Sequence, residues 1–169
     1  MSAGLTIEKL RRDHPVDGFD CGKEPLNRFL SRHAFQGQTA GASTTYVALE
    51  NDRLVGFYSL AYGHVEYAEA PERLTKGLAR HPVPVMLLAR LAVSSSHHGK
   101  RIGAGLLKDA MLRTLQAADI AGLRGILVHA KDDEARGFYE RFDFAPSPTA
   151  PHHLMVLLKD VRALVRLQP

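Results

Sequence analysis

The sequence predicts an α/β (α+β) fold, a mixed central sheet flanked by helices, and two strand-to-helix units and one hairpin carry the prediction. In the first unit, residues 84–93 form an apolar run that reads as a strand. A polar, Gly-rich turn follows, and it opens a helix with Leu106, Leu107, Ala110, Met111 and Leu115 on its apolar positions. In the second unit, residues 123–130 read as a buried strand, and a helical pattern starts after Asp132. The hairpin joins strands over residues 44–50 and 53–61 through an Asn51-Asp52 turn.

The remaining elements fit the same architecture. Residues 5–10 suit a first strand. Residues 25–38 suit a helix, with Pro25 in its first turn and Leu26, Phe29, Leu30 and Ala34 sharing a face. A helical segment is expected around residues 71–78. Residues 154–158 read as a late strand, followed by a helical tail over 159–167. The proline-marked segments 70–72, 81–84 and 145–151 read as loops.

At 169 residues and 45% hydrophobic content, the chain can bury a core of its own, and residues 1–169 are expected to form a single domain. Its one cysteine, Cys21, excludes an internal disulfide and suits a cytoplasmic protein. Neither a secretory leader nor a long apolar span is read from the sequence, so no membrane association is expected. No metal-binding pattern stands out.

Chemistry concentrates in residues 93–107. A Gly-rich loop at a helix start presents unpaired backbone N–H groups backed by the positive end of the helix dipole, a site suited to phosphate. Lys100 and Arg101 add charge at its rim. The loop fits neither the P-loop pattern nor the dinucleotide pattern, because Gly99, Gly103 and Gly105 are spaced four and two apart.

The loop instead resembles the acyl-coenzyme A loop of GNAT-superfamily N-acetyltransferases, Gln/Arg-x-x-Gly-x-Gly/Ala. His98 takes the Gln/Arg place, Arg101 the first Gly place and Gly103 the second. Arg101 thus puts a side chain where the backbone approaches a pyrophosphate. The segment from Asp132 through Ala135, Phe138 and Tyr139 to Phe144 is similar to the superfamily's Asn-x-x-Ala-x-x-Phe-Tyr-x-x-x-Gly-Phe. Asp132 replaces the Asn and Asp143 the Gly. The resemblance implies a mostly antiparallel, splayed GNAT sheet and acetyl-CoA as acetyl donor. It assigns cofactor binding to Leu91, Ala92 and Val93 on the strand, to His98, Gly99, Lys100, Arg101, Ile102, Gly103 and Ala104 in the loop and helix start, and to Asp132 and Phe138. Backbone groups at Leu91 and Val93 hold the pantetheine arm or the acetyl carbonyl. Tyr139 falls at the place of the superfamily's acid tyrosine, which protonates the departing thiolate; a tyrosine merely packed beside Phe138 is the plainer alternative.

Segments along nearly the whole chain resemble a narrower group, the acetyltransferase toxins of bacterial type II toxin–antitoxin systems, which acetylate aminoacyl-tRNA. They include Phe19-Asp20-Cys21-Gly22, Thr45-Tyr46-Val47-Ala48, Gly56-Phe57-Tyr58-Ser59-Leu60, Arg80-His81-Pro82-Val83-Pro84 and Val128-His129-Ala130-Lys131-Asp132. This implies a cognate DNA-binding antitoxin and a homodimer. Two properties of the residues agree. Residues 86–93 hold no carboxylate, where many superfamily members carry a general base. A lysine amine, with pKa ~10.4, needs such help more than an α-amine, which starts near ~8. The formal net charge of +4 suits an anionic partner. Lys23, Arg28 and Arg32 around the first helix, and Lys76, Arg80 and Arg90 flanking the core strand, form a candidate phosphate-backbone track for tRNA. His129 and Glu66 remain possible bases. Two other readings stay open: a GNAT enzyme acting on a small amine, a drug or a protein N-terminus, and a degenerate, non-catalytic coenzyme A-binding subunit suggested by Arg101 and Asp143.

Overall fold

The computed structural model describes residues 4–167. In chain order the elements are β1 (Leu5–Lys9), α1 (Glu24–Arg28), a π-helical turn (Phe29–His33), α2 (Ala34–Thr39), β2 (Thr44–Glu50), β3 (Arg53–Val65), a 3₁₀ turn (Tyr67–Glu69), α3 (Glu72–Thr75) and β4 (Val83–Val93). A second 3₁₀ turn (Ser95–His97), α4 (Ile102–Ala118), β5 (Gly125–His129), α5 (Asp133–Glu140), β6 (Ala145–Pro146), β7 (His153–Leu157) and α6 (Leu158–Leu167) complete the chain. The strands hydrogen-bond in the order β1-β2-β3-β4-β5-β7-β6. The pairs β1–β2, β2–β3, β5–β7 and β6–β7 are antiparallel, while β4–β5 is parallel. The mixed, mostly antiparallel sheet is the one expected. By contacts the chain divides into two compact units, Met1–Ala61 with Ala89–Ala110, and Tyr62–Leu88 with Met111–Pro169.

In the first unit, Asn51 (φ 51°) and Asp52 (φ 64°) both take the left-handed conformation. Two such residues make the tight turn whose twist matches an antiparallel hairpin, and Asn and Asp tolerate it. The core centres on Phe57, fully buried, with Phe19 edge-on at 5.6 Å and Phe29 stacked at 6.1 Å. Leu26, Leu30 and Ala34 pack against it from the helical run. A strict spacing of four drifts ahead of a 3.6-residue turn. The wider π turn between α1 and α2 takes up that drift and keeps all three residues on the core.

In the second unit, Val65, Ala70, Leu74, Val83, Val85, Leu127 and Met155 form the core. A Cβ at Gly125 would run into the Val156 carbonyl, so this glycine permits the close β5–β7 approach. The Arg124 guanidinium donates to the carbonyls of Leu74 (2.8 Å) and Lys76 (2.9 Å), satisfying the C-terminal end of α3.

Besides the π turn that interrupts the helix expected over 25–38, three elements differ from expectation. β3 runs on to Val65, past residue 61. The helix expected over 71–78 shrinks to α3, which has four residues. Two residues of the proline-marked 145–151 segment form β6 on the edge of β7, where a proline's missing N–H costs no ladder bond.

Candidate active site

The loop between β4 and α4 is built entirely within the first unit. Ser94 N–H donates to the Val55 carbonyl (2.8 Å) and Ser95 N–H to that of Asp20 (2.9 Å). Buried His97 bonds through Nδ1 to the Ser96 hydroxyl (2.8 Å) and through Nε2 to Glu50 (3.1 Å), which ties the loop to the end of β2. His98, in the Gln/Arg place, donates its Nε2–H to the Val93 carbonyl (2.8 Å). That bond fixes the ring's tautomer and folds the loop back over the end of β4.

Arg101 has φ +62° and Gly99 φ +80°. Arg101 therefore adopts a left-handed backbone that glycine takes without steric cost, at a cost of ~1–2 kcal/mol for a residue with a Cβ. Its carbonyl accepts the first bond of α4, from Gly105 N–H (3.1 Å). The N–H groups of Ile102, Gly103 and Ala104 occupy the first helical turn, where no intrahelical acceptor exists. A Cβ at Gly56 would meet Leu106 Cδ1 at 2.9 Å and the Ala92 carbonyl at 3.1 Å. This glycine lets α4 settle onto β3 and so fixes where the helix start stands. Tyr58 adds a hydrogen bond from its hydroxyl to Asp109 of α4 (2.5 Å).

The β4–β5 register ends at Leu88↔Val128, and β4 continues through residues 89–93. Parallel pairing thus stops short of Leu91, Ala92 and Val93. Those residues keep backbone donors and acceptors on that edge for a bound molecule.

Tyr139 sits in α5, in the second unit. Asp132 caps the helix, its carboxylate accepting from Ala135 N–H at 2.8 Å, so this side chain serves the helix start directly. At the other end, Asp143 (φ +68°) occupies the left-handed position of a Schellman cap: Phe144 N–H bonds to the Tyr139 carbonyl (3.3 Å) and Asp143 N–H to that of Glu140 (3.2 Å). The accompanying apolar contact is between the Tyr139 and Phe144 rings, 5.4 Å apart. Phe138 packs edge-on against Tyr139 at 5.1 Å. Tyr139 is buried, and burial pushes its phenol well above the ordinary value, so it holds its proton across neutral pH. Among the described residues no buried side-chain polar atom lacks a partner, and no protein group bonds the Tyr139 hydroxyl. The hydroxyl therefore keeps open surface.

His129, at the end of β5, stacks on its cross-strand neighbour His153 at 4.1 Å. Partial burial, and secondarily the His153 charge, lower its pKa and favour the neutral imidazole. Glu66 is exposed and lies 3.7 Å from His64.

The basic residues divide between the units. Arg28 and Arg32 line one groove of about 340 Å³ beside α1, together with Asp17, Asp20 and Glu24. Arg28 is 3.6 Å from Glu24. Lys23 is exposed at the helix start. Arg90 lays its guanidinium over the Phe29 ring at 3.7 Å and is half-buried there. In the second unit, Lys76 and Arg80 are exposed, Arg80 lying 5.5 Å from the Tyr67 ring.

Residues 41–146 match the model of the acetyltransferase (GNAT) domain. The chain belongs to the GNAT acetyltransferase family. It is 49% identical over 150 residues to a tRNA-acetylating toxin of Mycobacterium tuberculosis, covering 89% of this chain and 90% of that protein. Among solved structures it superposes on AtaT complexed with acetyl-methionyl-tRNAfMet with a TM-score of 0.88 at 29% identity, covering 95% of this chain and 98% of that one. A tyrosine-to-phenylalanine mutant of the AtaT toxin, bound to acetyl-CoA and the C-terminus of the antitoxin AtaR, superposes with a TM-score of 0.82 at 28% identity, covering 95% and 98%.

As a GNAT acetyltransferase the protein takes acetyl-CoA as donor, and the residues present fit that molecule. The open turn of α4 offers three N–H groups to a pyrophosphate, and the uncovered edge of β4 offers ladder bonds to an amide-bearing arm. Sequence reasoning named these residues but gave Gly56, Tyr58 and His97 no part. Gly56 was the one with a signal, an isolated glycine within a strand pattern, which marks a close backbone approach. The partners of Tyr58 and His97 lie 51 and 47 residues away in the chain, out of reach of local pattern.

Proposed function

We propose that the chain, acting over residues 1–169 as one GNAT domain, transfers an acetyl group to the α-amine of aminoacyl-tRNA and so blocks translation. The observation that carries this reading is the likeness, over nine-tenths of the chain, to a tRNA-acetylating toxin. Acetyl-CoA supplies the acetyl group as a thioester. The N–H groups at the start of α4 and the loop cations Lys100 and Arg101 bind its phosphates. Leu91, Ala92 and Val93 orient its arm through their backbone, an N–H here polarising the carbonyl under attack. Tyr139 donates the proton that the departing thiolate takes, a role its open hydroxyl supports.

The amine needs no dedicated carboxylate. Residues 86–93 carry none, and an aminoacyl α-amine, starting near ~8, is partly neutral at physiological pH. Lys23, Arg28, Arg32, Lys76, Arg80 and Arg90 contribute to holding the tRNA backbone, Arg28 and Arg32 through the groove beside α1. The non-catalytic alternative rested on Arg101 and Asp143, and both keep the backbone that glycine would adopt. The same reading includes a cognate DNA-binding antitoxin, a homodimer and a cytoplasmic site of action; no helix among the described residues is long and apolar enough to cross a membrane.

Purified protein incubated with labelled acetyl-CoA and a pool of charged tRNA tests it. The expected result is label on aminoacyl-tRNA that falls steeply with salt and disappears in Tyr139→Phe. Coenzyme A released with small amines or peptides, and no label on tRNA, would leave a GNAT enzyme of another substrate class.

A further inference from the structure

Glu50, His97 and Ser96 form a hydrogen-bonded chain that none of the donor or acceptor roles above uses. His97 is buried, and its Nε2 lies 3.1 Å from a Glu50 carboxylate oxygen. A carboxylate only accepts, so in the neutral imidazole Nε2 carries the ring proton and Nδ1 the lone pair. The Ser96 hydroxyl, 2.8 Å from Nδ1, is therefore the donor in that bond. With its proton so used, the Ser96 oxygen accepts from the Ser94 hydroxyl, 3.0 Å away.

Each member stands where a nucleophile and its base need it. Ser96 is exposed, whereas His97 is buried and held at both nitrogens, so a small molecule reaches the hydroxyl while the ring stays fixed. The 3₁₀ turn is pinned by Ser94 N–H to the Val55 carbonyl, Ser95 N–H to that of Asp20 and His97 N–H to that of Ser94. A hydroxyl against an imidazole whose far side meets a carboxylate is the arrangement of an activated serine, recognised by geometry and roles rather than by sequence position. Here Nδ1 faces the serine and Nε2 the acid, the reverse of the serine-protease order, and either nitrogen can take either role. Anchoring the turn to β2 needs only the His97–Glu50 bond. It does not require a solvent-facing hydroxyl on Nδ1.

We propose that Ser96 is a nucleophile and a self-acylation site, with His97 as its general base and Glu50 as the residue that positions the ring. Its substrates are small activated acyl esters and thioesters. In the step, Ser96 Oγ attacks the acyl carbon and its proton passes to His97 Nδ1. The bond from the acyl carbon to the leaving sulfur or oxygen then breaks, and the leaving group takes that proton from Nδ1. An acyl-serine ester and a free thiol or alcohol result, with no other reactant. The inference goes beyond the acetyl transfer proposed above and shares no residue with it.

Purified protein incubated with p-nitrophenyl acetate, with S-acetyl-N-acetylcysteamine (a thioester lacking the nucleotide) and with a fluorophosphonate tests this, the modified residue being mapped by mass spectrometry. The fluorophosphonate adduct does not hydrolyse, so it traps the serine even where the acetyl ester turns over. Ser96 should carry the modification, while Ser94 and Ser95 in the same turn stay free. Its rate should fall by about 10²–10⁴ in His97→Gln, the usual worth of a general base, and at least about tenfold in Glu50→Gln. Thermal melts check that both variants fold. Glu50 is half-buried at the end of β2, so its variant tests the chain even where His97→Gln unfolds. Tyr139→Phe should be modified at the wild-type rate. Modification spread alike over Ser94, Ser95 and Ser96, or none with any probe, overturns the inference and leaves the acetyltransferase reading standing. So does a Ser96 rate unchanged in the folded variants. Modification lost in Tyr139→Phe would assign it to the transferase site and overturn the inference as well.

Discussion

The starts of α4 and α5 solve the same problem in opposite ways. Both helices follow a core strand, and both carry residues that the proposed function uses. At α5 every local preference is met: Asp132 caps the first turn, and Asp143 and Phe144 close the last one in a Schellman cap. At α4 the flanking residue is Arg101, with a strained backbone and no side-chain acceptor to offer. The first arrangement holds Tyr139 still without help from a ligand. The second leaves the N–H groups of the first turn without an intrahelical acceptor. The roles proposed for them match: a proton donor profits from being placed in advance, whereas a binding loop profits from being completed by what it binds.

The largest effect that can break this comparison comes from Tyr139. Tyr139→Phe keeps the ring and its packing against Phe138 and Phe144, so the fold should survive. Its kcat should fall by about 10²–10⁴ with acetyl-CoA affinity unchanged. A variant that retains kcat would make Tyr139 a packing residue only. The same variant also has a signature in stability against pH. Burial raises the phenol's folded pKa, so above the unfolded value of ~10 the unfolded chain ionises first. Stability should then fall by ~1.4 kcal/mol per pH unit from this residue, and be indifferent to it below pH ~10. Chemical denaturation of wild type and Tyr139→Phe between pH 8 and 11 should show the shallower decline in the variant.

Next in size is Gly56, on which α4 rests. Gly56→Val forces a side chain against the Ala92 carbonyl and Leu106, and should cost ~1–3 kcal/mol in urea unfolding. Because the helix start moves with it, acetyl-CoA should bind more weakly as well, which titration of the folded variant would show. Destabilisation with full affinity would mean that the placement of α4 does not set the donor site. On the α5 side, Asp132→Ala should cost ~0.5–2 kcal/mol through the lost cap. If its donor affinity also falls while Tm recovers in Asp132→Asn, the residue has a part in binding beyond the cap.

Most of this architecture was legible because its signals are local. The apolar spacing after residue 102, the hairpin turn at Asn51 and Asp52, and the buried run before His129 each declare an element within a dozen residues. β6 was not legible, because Pro146 and its neighbours read as a loop and only the pairing with β7 makes them a strand. The π turn escaped for a similar reason, since Leu26, Leu30 and Ala34 look like an ordinary helical face until the core demands all three. At the site, Tyr139 and the loop stood out by residue type and spacing. What held them did not: the His97–Glu50 bond and the Gly56 contact with α4 join residues far apart in sequence.

The smallest expected effect sharpens the comparison most, because it places two residues of the same backbone class side by side. Asp143 and Arg101 both stand where the family has glycine, and both have positive φ. Asp adopts that conformation with modest strain, since its short polar side chain bonds locally, and position 143 lies in a cap that wants a left-handed residue. Asp143→Gly should therefore raise stability by only a few tenths of a kcal/mol, with kcat and donor affinity unmoved. Arg101→Gly should raise it by about 1 kcal/mol, since it relieves strain and removes a charge from the wrong end of a dipole. Paired urea titrations of the two variants measure the difference. Equal gains would mean that the strain at Arg101 is no greater than that at Asp143, and the contrast between a finished helix end and one awaiting its ligand would fail.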